Sequence, residues 1–295
     1  MEVNCACCGS DKNELITTKG QFNITLKMVM CNDCGFVFLN PRKSKEEYIN
    51  FYTNEYDKYY RPSIINFKGK TDNDTLGNVI KNRIFNDLPY CRDILEIGSG
   101  SGFNLISLRE KFPNANYYAI EPSESSRNIL ERNNISVVSN DADSDWNKNN
   151  QKYDLIIMRH VLEHMMDPIT VLKKIADSLS ENGLFYVAVP NAYKPKSPFN
   201  SWVRFPHTYY FSPDSLKVIL EKSGLSVVNE LSEGDEFNQF ELFGLAKRSL
   251  EINDLKIANN SKKQRTIFNE ILKKEANLKY KVKQSLISIK NKIGL

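Results

Sequence analysis

The chain has 295 residues, 41% hydrophobic and 26% charged, with a net charge of +4, the make-up of an ordinary globular protein able to bury one core of about 150–200 residues plus a small satellite module. It contains no run of roughly 18 apolar residues, and Met1-Glu2-Val3-Asn4 leads into neither a basic nor an apolar segment, so a membrane-spanning helix and a secretory leader are not expected and a cytoplasmic location is.

The first 42 residues hold two C-x-x-C-G units, Cys5/Cys8 with Gly9 and Cys31/Cys34 with Gly35. Each unit turns sharply enough to aim two thiolates at one tetrahedral ion, so Cys5, Cys8, Cys31 and Cys34 are expected to bind a structural Zn2+ in a small ribbon. Cys7 competes with the outer pair, and Cys91 reads as a bystander. Free thiols would leave this segment with too little apolar material to fold by itself. After Asn40-Pro41-Arg42, a capping box at Ser44 and Glu47 opens a helix expected through residue 51. Residues 43–90 form a tyrosine-rich linker or lid, with Tyr48, Tyr52, Tyr56, Tyr59 and Tyr60, and a second helix expected over 74–85.

From residue 93 strands and helices alternate: strand to 97, helix to 111, strand to 120, helix over 123–133, then strands at 136–138 and 153–158. A further helix opens at Asp167-Pro168 and ends before Gly183, followed by a strand over 184–189. Ser212-Pro213 starts another helix that Gly224 ends, and strands over 225–229 and 241–246 complete the set. The pattern predicts an α/β, Rossmann-like, doubly wound seven-stranded sheet over 91–248. The first strand breaks into Gly98, Gly100 and Gly102, glycines that let the backbone turn tightly beside a ligand at a helix start. The next strand ends in Glu121, where a ribose-binding carboxylate belongs. Phe103 stands where a third dinucleotide-fingerprint glycine would fall.

The three histidines are His160, His164 and His207. His160 and His164 follow the fourth strand, at the sheet edge where such folds bind ligands, and lie on one face if a helix begins there. His207 comes from an insertion over 191–210 rich in Phe199, Trp202, Phe205, Tyr209 and Tyr210, with Lys194, Lys196 and Arg204 among them, walls that suit a sugar carrying phosphate. A histidine can take a proton near neutral pH, so all three are catalytic candidates, with a purely orienting role as the plain alternative. His160-Val-Leu-Glu163-His164 also fits the H-x-x-E-H pattern of inverted zinc peptidases, but those histidines belong to a longer helix, not to the end of a buried strand.

Residues 249–295 form a basic tail. Residues 262–292 hold ten Lys or Arg and two acids, which places +8 there and −4 in the rest. Ile267, Ile271, Leu278, Val282, Leu286, Ile289 and Ile293 recur at helical spacing, so an amphipathic helix is expected. It packs on its own body or on a second copy in a homodimer, or else contacts an anionic membrane surface peripherally; no aromatic platform is interleaved for nucleic acid.

Glu96 two residues before G-x-G-x-G resembles motif I of class I S-adenosylmethionine (SAM) dependent methyltransferases. The resemblance implies a reversed final strand and a cofactor site of Glu96, Gly98, Ser99, Gly100, Gly102, Glu121 and Arg159, with Asp141 and Ala142 on the adenine and Asp143 as the alternative to Asp141. Together with the cysteine pairs and His-Val-Leu-Glu-His, residues 5–247 resemble bacterial zinc-ribbon methyltransferases, many tied to surface-polysaccharide and sugar modification. They are also similar in layout to deoxysugar C-methyltransferases, without the large carboxyl-terminal domain of those enzymes. The expected function is O-methylation of a sugar or sugar-phosphate, with C- or N-methylation of a nucleotide-sugar or other small molecule, or non-catalytic SAM or nucleotide binding, as alternatives.

Overall fold

The computed structural model describes residues 1–55, 79–84, 87–88, 90–147, 149–196, 198–250 and 260–292, with side chains described as far as residue 278 apart from residue 53. Tyr56, Tyr59 and Tyr60 and most of the helix expected over 74–85 fall outside these residues; 79–83 within it are helical.

Three strands come first: β1 (Asn13–Lys19), β2 (Thr25–Cys31) and β3 (Val37–Leu39), followed by helix α1 (Lys45–Asn54). Seven more elements run β4 (Asp93–Ile97), α2 (Phe103–Leu108), β5 (Asn116–Ile120), α3 (Glu124–Arg132), β6 (Ser136–Ser139), β7 (Tyr153–Arg159) and α4 (Pro168–Ser178). The chain continues as β8 (Leu179–Pro190), α5 (Phe199–Trp202), β9 (Tyr209–Tyr210), α6 (Pro213–Lys222), β10 (Leu225–Val227), β11 (Glu241–Arg248) and α7 (Ser261–Lys292). The main sheet has the order β10-β11-β8-β7-β4-β5-β6. β4 pairs in parallel with both β5 and β7, and β11 runs antiparallel to β8, the reversal that the sequence resemblance implies. Central parallel strands are covered on both faces, which is why β7 reads as the near-continuous apolar run Leu155-Ile156-Ile157-Met158, all four fully buried. Because the chain passes from β4 to β5 on one side and to β7 on the other, the crevice at the carboxyl end of β4 is the topological switch point.

Helix starts follow the local signals. Ser44 and Glu47 close the capping box on α1, Asp167 accepts from the Thr170 amide ahead of Pro168, and Ser212 accepts from the Ser215 amide at α6. Two ends differ from expectation. Helix α2 stops at Leu108, well short of residue 111, and α4 stops at Ser178 with β8 beginning at once. Gly183 is therefore no helix stop. It sits in an irregular stretch of β8 where the register against β7 shifts between Tyr153 and Leu155, and a Cβ there would lie 2.7 Å from the Tyr153 carbonyl oxygen.

The cysteine-bearing strands form a second sheet of order β1-β2-β3-β9. Its last strand comes from the insertion after β8, with Val37 opposite Tyr210 and Phe38 opposite Tyr209. Strand alternation buries both faces. Val29, Cys31 and Phe38 join a cluster that continues through Leu95, Met158 and Leu216 of the main domain, whereas Met28, Met30, Val37 and Leu39 pack with Phe199, Trp202, Tyr210 and Phe268. Lys222 at the end of α6 donates to the Cys7 carbonyl at 2.8 Å, a further tie between ribbon and sheet.

Helix α7 forms as the tail's periodicity predicts and docks on the chain's own body. The buried contact runs through Gln264, whose amide donates to the Ala192 carbonyl at 2.9 Å, and Phe268, with Ile267 and Ile271 alongside. Leu278 is 61% exposed, so the apolar stripe is only partly covered. No helix among the described residues is long and apolar enough to cross a membrane.

Candidate active site

The glycine turn is built at the switch point. Gly98, Gly100 and Gly102 all have positive φ (73°, 55° and 80°), and the Gly98 amide donates to the Ile120 carbonyl at 2.7 Å, tying the end of β4 to β5. Side chains are excluded as well as disfavoured there: a Cβ on Gly98 would stand 2.3 Å from Val161 Cγ2, and one on Gly102 would stand 2.6 Å from Leu130 Cδ2. Glu121 locks the turn, its Oε2 accepting from the Gly100 amide at 2.7 Å and its Oε1 from the Ser123 amide at 3.0 Å. Glu96 lies within β4 and is 2% exposed. Burial pushes its pKa up to about 8, against the opposing pull of the Asn104 amide, which donates to Oε1 at 2.5 Å, and of Arg159. Glu96 Oε2 and the buried Ser99 hydroxyl have no hydrogen-bond partner among the described residues. Buried polar groups are ordinarily satisfied, so unpaired ones at a glycine turn fit a polar ligand seated there.

Asp141 and Ala142 lie in the loop after β6. Asp141 accepts from the Asp143 amide at 2.8 Å and stands 3.9 Å from Lys45 of α1. Lys174 of α4 holds the loop through the carbonyls of Ala142, Asp143 and Ser144. Burial, then Asp141, raises the pKa of Asp143.

The histidines do not share a helical face. His160 adopts φ 55°, and the turn after it is a single 3-10 turn (Leu162–His164), so His160 and His164 diverge. His160 Nε2 lies 2.8 Å from Glu241 Oε1 and Nδ1 lies 3.5 Å from Glu163 Oε1. Burial opposes its charged form, but the two carboxylates hold its pKa above the usual imidazole value. His164 Nδ1 lies 2.8 Å from the Pro206 carbonyl, and its ring meets that of His207 edge-on at 4.9 Å. Burial lowers the pKa of His164 and drives that of His207 well below the ordinary value, so both rings are neutral at pH 7. Thr208 fixes this corner by donating to the carbonyls of Glu163 and Met165 at 2.9 and 2.8 Å. A cavity opens over it, lined by His160, Glu163, His164 and His207 below and by Lys196, Trp202, Arg204, Asn238 and Phe240 around. Tyr52 of α1 reaches His164 from above, with ring centroids 6.1 Å apart. The glycine turn and the histidine corner touch, since Val161 sits between His160 and the 3-10 turn and is the residue that leaves no room for a Cβ on Gly98.

Residues 56–230 match the family described as a methyltransferase domain, well over half of the chain. The chain belongs to that family. No curated protein matches it. Among solved structures it is similar to the CcbJ methyltransferase from Streptomyces caelestis, with 15% identity, TM-score 0.51, and coverage of 68% of this chain and 99% of that one. It is also similar to the plantazolicin methyltransferase BpumL in complex with SAH (14%, TM-score 0.51, 68% and 93%). A third similar structure is the magnesium protoporphyrin IX methyltransferase of Synechocystis PCC 6803 with bound SAH (15%, TM-score 0.50, 70% and 100%). At such identities the likeness is one of fold, and the acceptors in those names differ widely.

Several residues that shape this methyltransferase domain escape a sequence reading. Glu241 is fully buried and accepts from Arg83 Nη1 at 2.5 Å, Arg159 Nε at 2.9 Å and His160 Nε2 at 2.8 Å. Despite burial, this ring of cations, His160 first, holds its pKa down at about 2. Arg159 is thereby turned toward β11, while still close enough to Glu96 to favour its charged form. Arg83 also clasps Asp235 and stacks 3.6 Å from the Phe243 ring centroid. The available signal was a lone acid opening the apolar run Glu241-Leu242-Phe243. Glu163, 1% exposed and central to the histidine corner, gave no signal beyond its place between two histidines.

In the ribbon, the sulfurs of Cys5, Cys8, Cys31 and Cys34 lie within 4.8 Å of one another, with Cys5–Cys34 and Cys8–Cys31 at 3.5 Å. Thiolates about 2.3 Å from a tetrahedral zinc stand roughly 3.7 Å apart, so the four fit that ion. Gly9 and Gly35 carry the positive φ (80° and 79°) that each turn needs. Cys7 stays outside the group, and burial pushes the Cys91 thiol up to about 12, out of nucleophilic range.

Proposed function

We propose that the protein transfers a methyl group from SAM to a hydroxyl of a small carbohydrate-like acceptor, a sugar or sugar-phosphate in surface glycan assembly. The observation that carries this reading is the contact between the two turns: the glycine turn beneath a donor and the histidine corner beneath an acceptor meet at Gly98 and Val161. Glu96, Gly98, Ser99, Gly100, Gly102 and Glu121 would hold the donor, with Asp141 and Ala142 at its base and Arg159 holding Glu96 toward its ionised form. SAM is cationic at its sulfonium and ammonium groups, so it favours an ionised Glu96.

Transfer is an in-line displacement that alignment accelerates. A lone pair of the acceptor oxygen forms the new C–O bond, the S–CH3 bonding pair returns to sulfur to leave a neutral thioether, and the hydroxyl proton goes to an imidazole. His164 and His207 suit that last role, being neutral at pH 7, whereas His160 is committed to two carboxylates. Trp202 and Phe240 offer apolar walls for a sugar ring, and Lys196 and Arg204 offer charge for a phosphate. The four cysteines would carry a zinc ion that fixes the ribbon.

Calorimetric titration with SAM and S-adenosylhomocysteine tests the donor site, with micromolar binding of either expected; no heat from either would sink the reading. Label transfer from SAM to a panel of sugars and sugar-phosphates then tests the acceptor class.

A further inference from the structure

A second cluster of metal-ligating side chains lies in the histidine corner. Glu163, His164 and His207 each bring one ligand atom within 4.8 Å of the others, and they come from two separate parts of the chain, the turn after β7 and the loop before β9. Glu163 and His207 are buried at 1% and 6% exposure. Neither carboxylate oxygen of Glu163 and not the Nδ1 of His207 makes a hydrogen bond among the described residues. His160 Nδ1, 3.5 Å from Glu163 Oε1, is a long-range partner for one of these atoms and leaves Glu163 Oε2 and His207 Nδ1 without one among the described residues, a costly arrangement as it stands.

His164 supplies the orienting feature that metal sites ordinarily have. Its Nδ1 faces the Pro206 carbonyl at 2.8 Å, which fixes the Nδ1–H tautomer and leaves the Nε2 lone pair turned toward Glu163, 3.9 Å away. His160 is not part of the set: its Nε2 is engaged by Glu241, so the arrangement differs from the two-histidine pattern of H-x-x-E-H, and no peptidase chemistry follows from it.

We infer that Glu163, His164 and His207 bind a divalent first-row transition-metal cation, a two-imidazole, one-carboxylate set with positions left open toward the cavity. This inference deepens the proposed acceptor site and rests on that reading for its substrate consequence: the open positions select an acceptor that presents two neighbouring oxygens, such as a vicinal diol, to complete the coordination sphere, and with both imidazole lone pairs on the cation the acidified acceptor hydroxyl would give its proton to water and not to His164 or His207.

Cobalt(II) titration of the purified full-length chain, followed by absorption, tests this, because thiolate-bound cobalt gives intense charge-transfer bands and a nitrogen–oxygen site gives only weak ligand-field bands. Two cobalt ions per chain are expected, one of each kind. His207→Ala and Glu163→Gln should weaken the second ion by more than about 100-fold while keeping the thiolate bands, which also report that the ribbon remains folded. One ion per chain in the wild type, or a second ion that persists in both variants, would overturn the assignment. SAM affinity measured on the same samples separates this outcome from failure of the donor site: intact SAM binding with a single cobalt rejects the second metal alone, and two ions without SAM binding rejects the donor reading alone.

Discussion

Glu96 is a carboxylate whose charge depends on what sits beside it. Its pKa of about 8 in the free protein means that it holds a proton at pH 7, and a cationic donor beside the unpaired Oε2 stabilises the ionised form and lowers that pKa. Binding of SAM should therefore release up to one proton below pH 8, and affinity should climb with pH and level off near 8. Calorimetry in two buffers of different ionisation enthalpy measures that proton, and Glu96→Gln should abolish it. Gly98 carries two constraints, the positive φ and the 2.3 Å approach of Val161, so Gly98→Val should eliminate SAM binding through the turn itself and displace the histidine corner with it. Unchanged calorimetric affinity in that variant would refute the motif assignment. The glycine turn was legible because positive φ at Gly98, Gly100 and Gly102 leaves few residue types an alternative there. Glu241 was not, because its role depends on Arg83, Arg159 and His160 converging from three separate segments, and no periodicity encodes that.

Among elements, the strands of the main sheet were the most readable, since parallel central strands must be apolar on both faces. The ends of α2 and α4 were read too far; for α4 the signal sought was Gly183, whereas the actual stop was set by tertiary pairing, β8 capturing the chain at Leu179 opposite Tyr153. Helix α7 was readable as a basic amphipathic helix, but its anchor was not on the predicted stripe. Phe268 is buried to 1%, and its ring packs on Phe199 and Trp202 with centroids 5.4 and 6.2 Å away. Phe268→Ala should cost about 3–5 kcal/mol and lower the thermal midpoint, which scanning calorimetry reads; Leu278→Ala, at an exposed site, should change it little.

At the scale of the whole molecule, the ribbon and the sheet domain share one apolar cluster and one four-stranded sheet. Cys31→Ser should remove bound zinc and lower the stability of the entire chain in a single transition, not melt the ribbon separately; elemental analysis alongside thermal scans checks this, and full zinc content in the variant would count against the four-sulfur site. The paired cysteines were plain in the sequence, yet their merger with the insertion after β8 was not, because the partner of β3 is a two-residue strand far downstream with no pattern of its own. That pairing has a consequence for how the protein is made. When the ribbon leaves the ribosome, the outer edge of β3 is an unsatisfied row of backbone donors and acceptors, and it stays so until Tyr209 and Tyr210 are synthesised, after most of the sheet domain. The contact closing the ribbon is thus among the most non-local in the chain, and non-local contacts form late. The first segment to be translated is among the last to be finished.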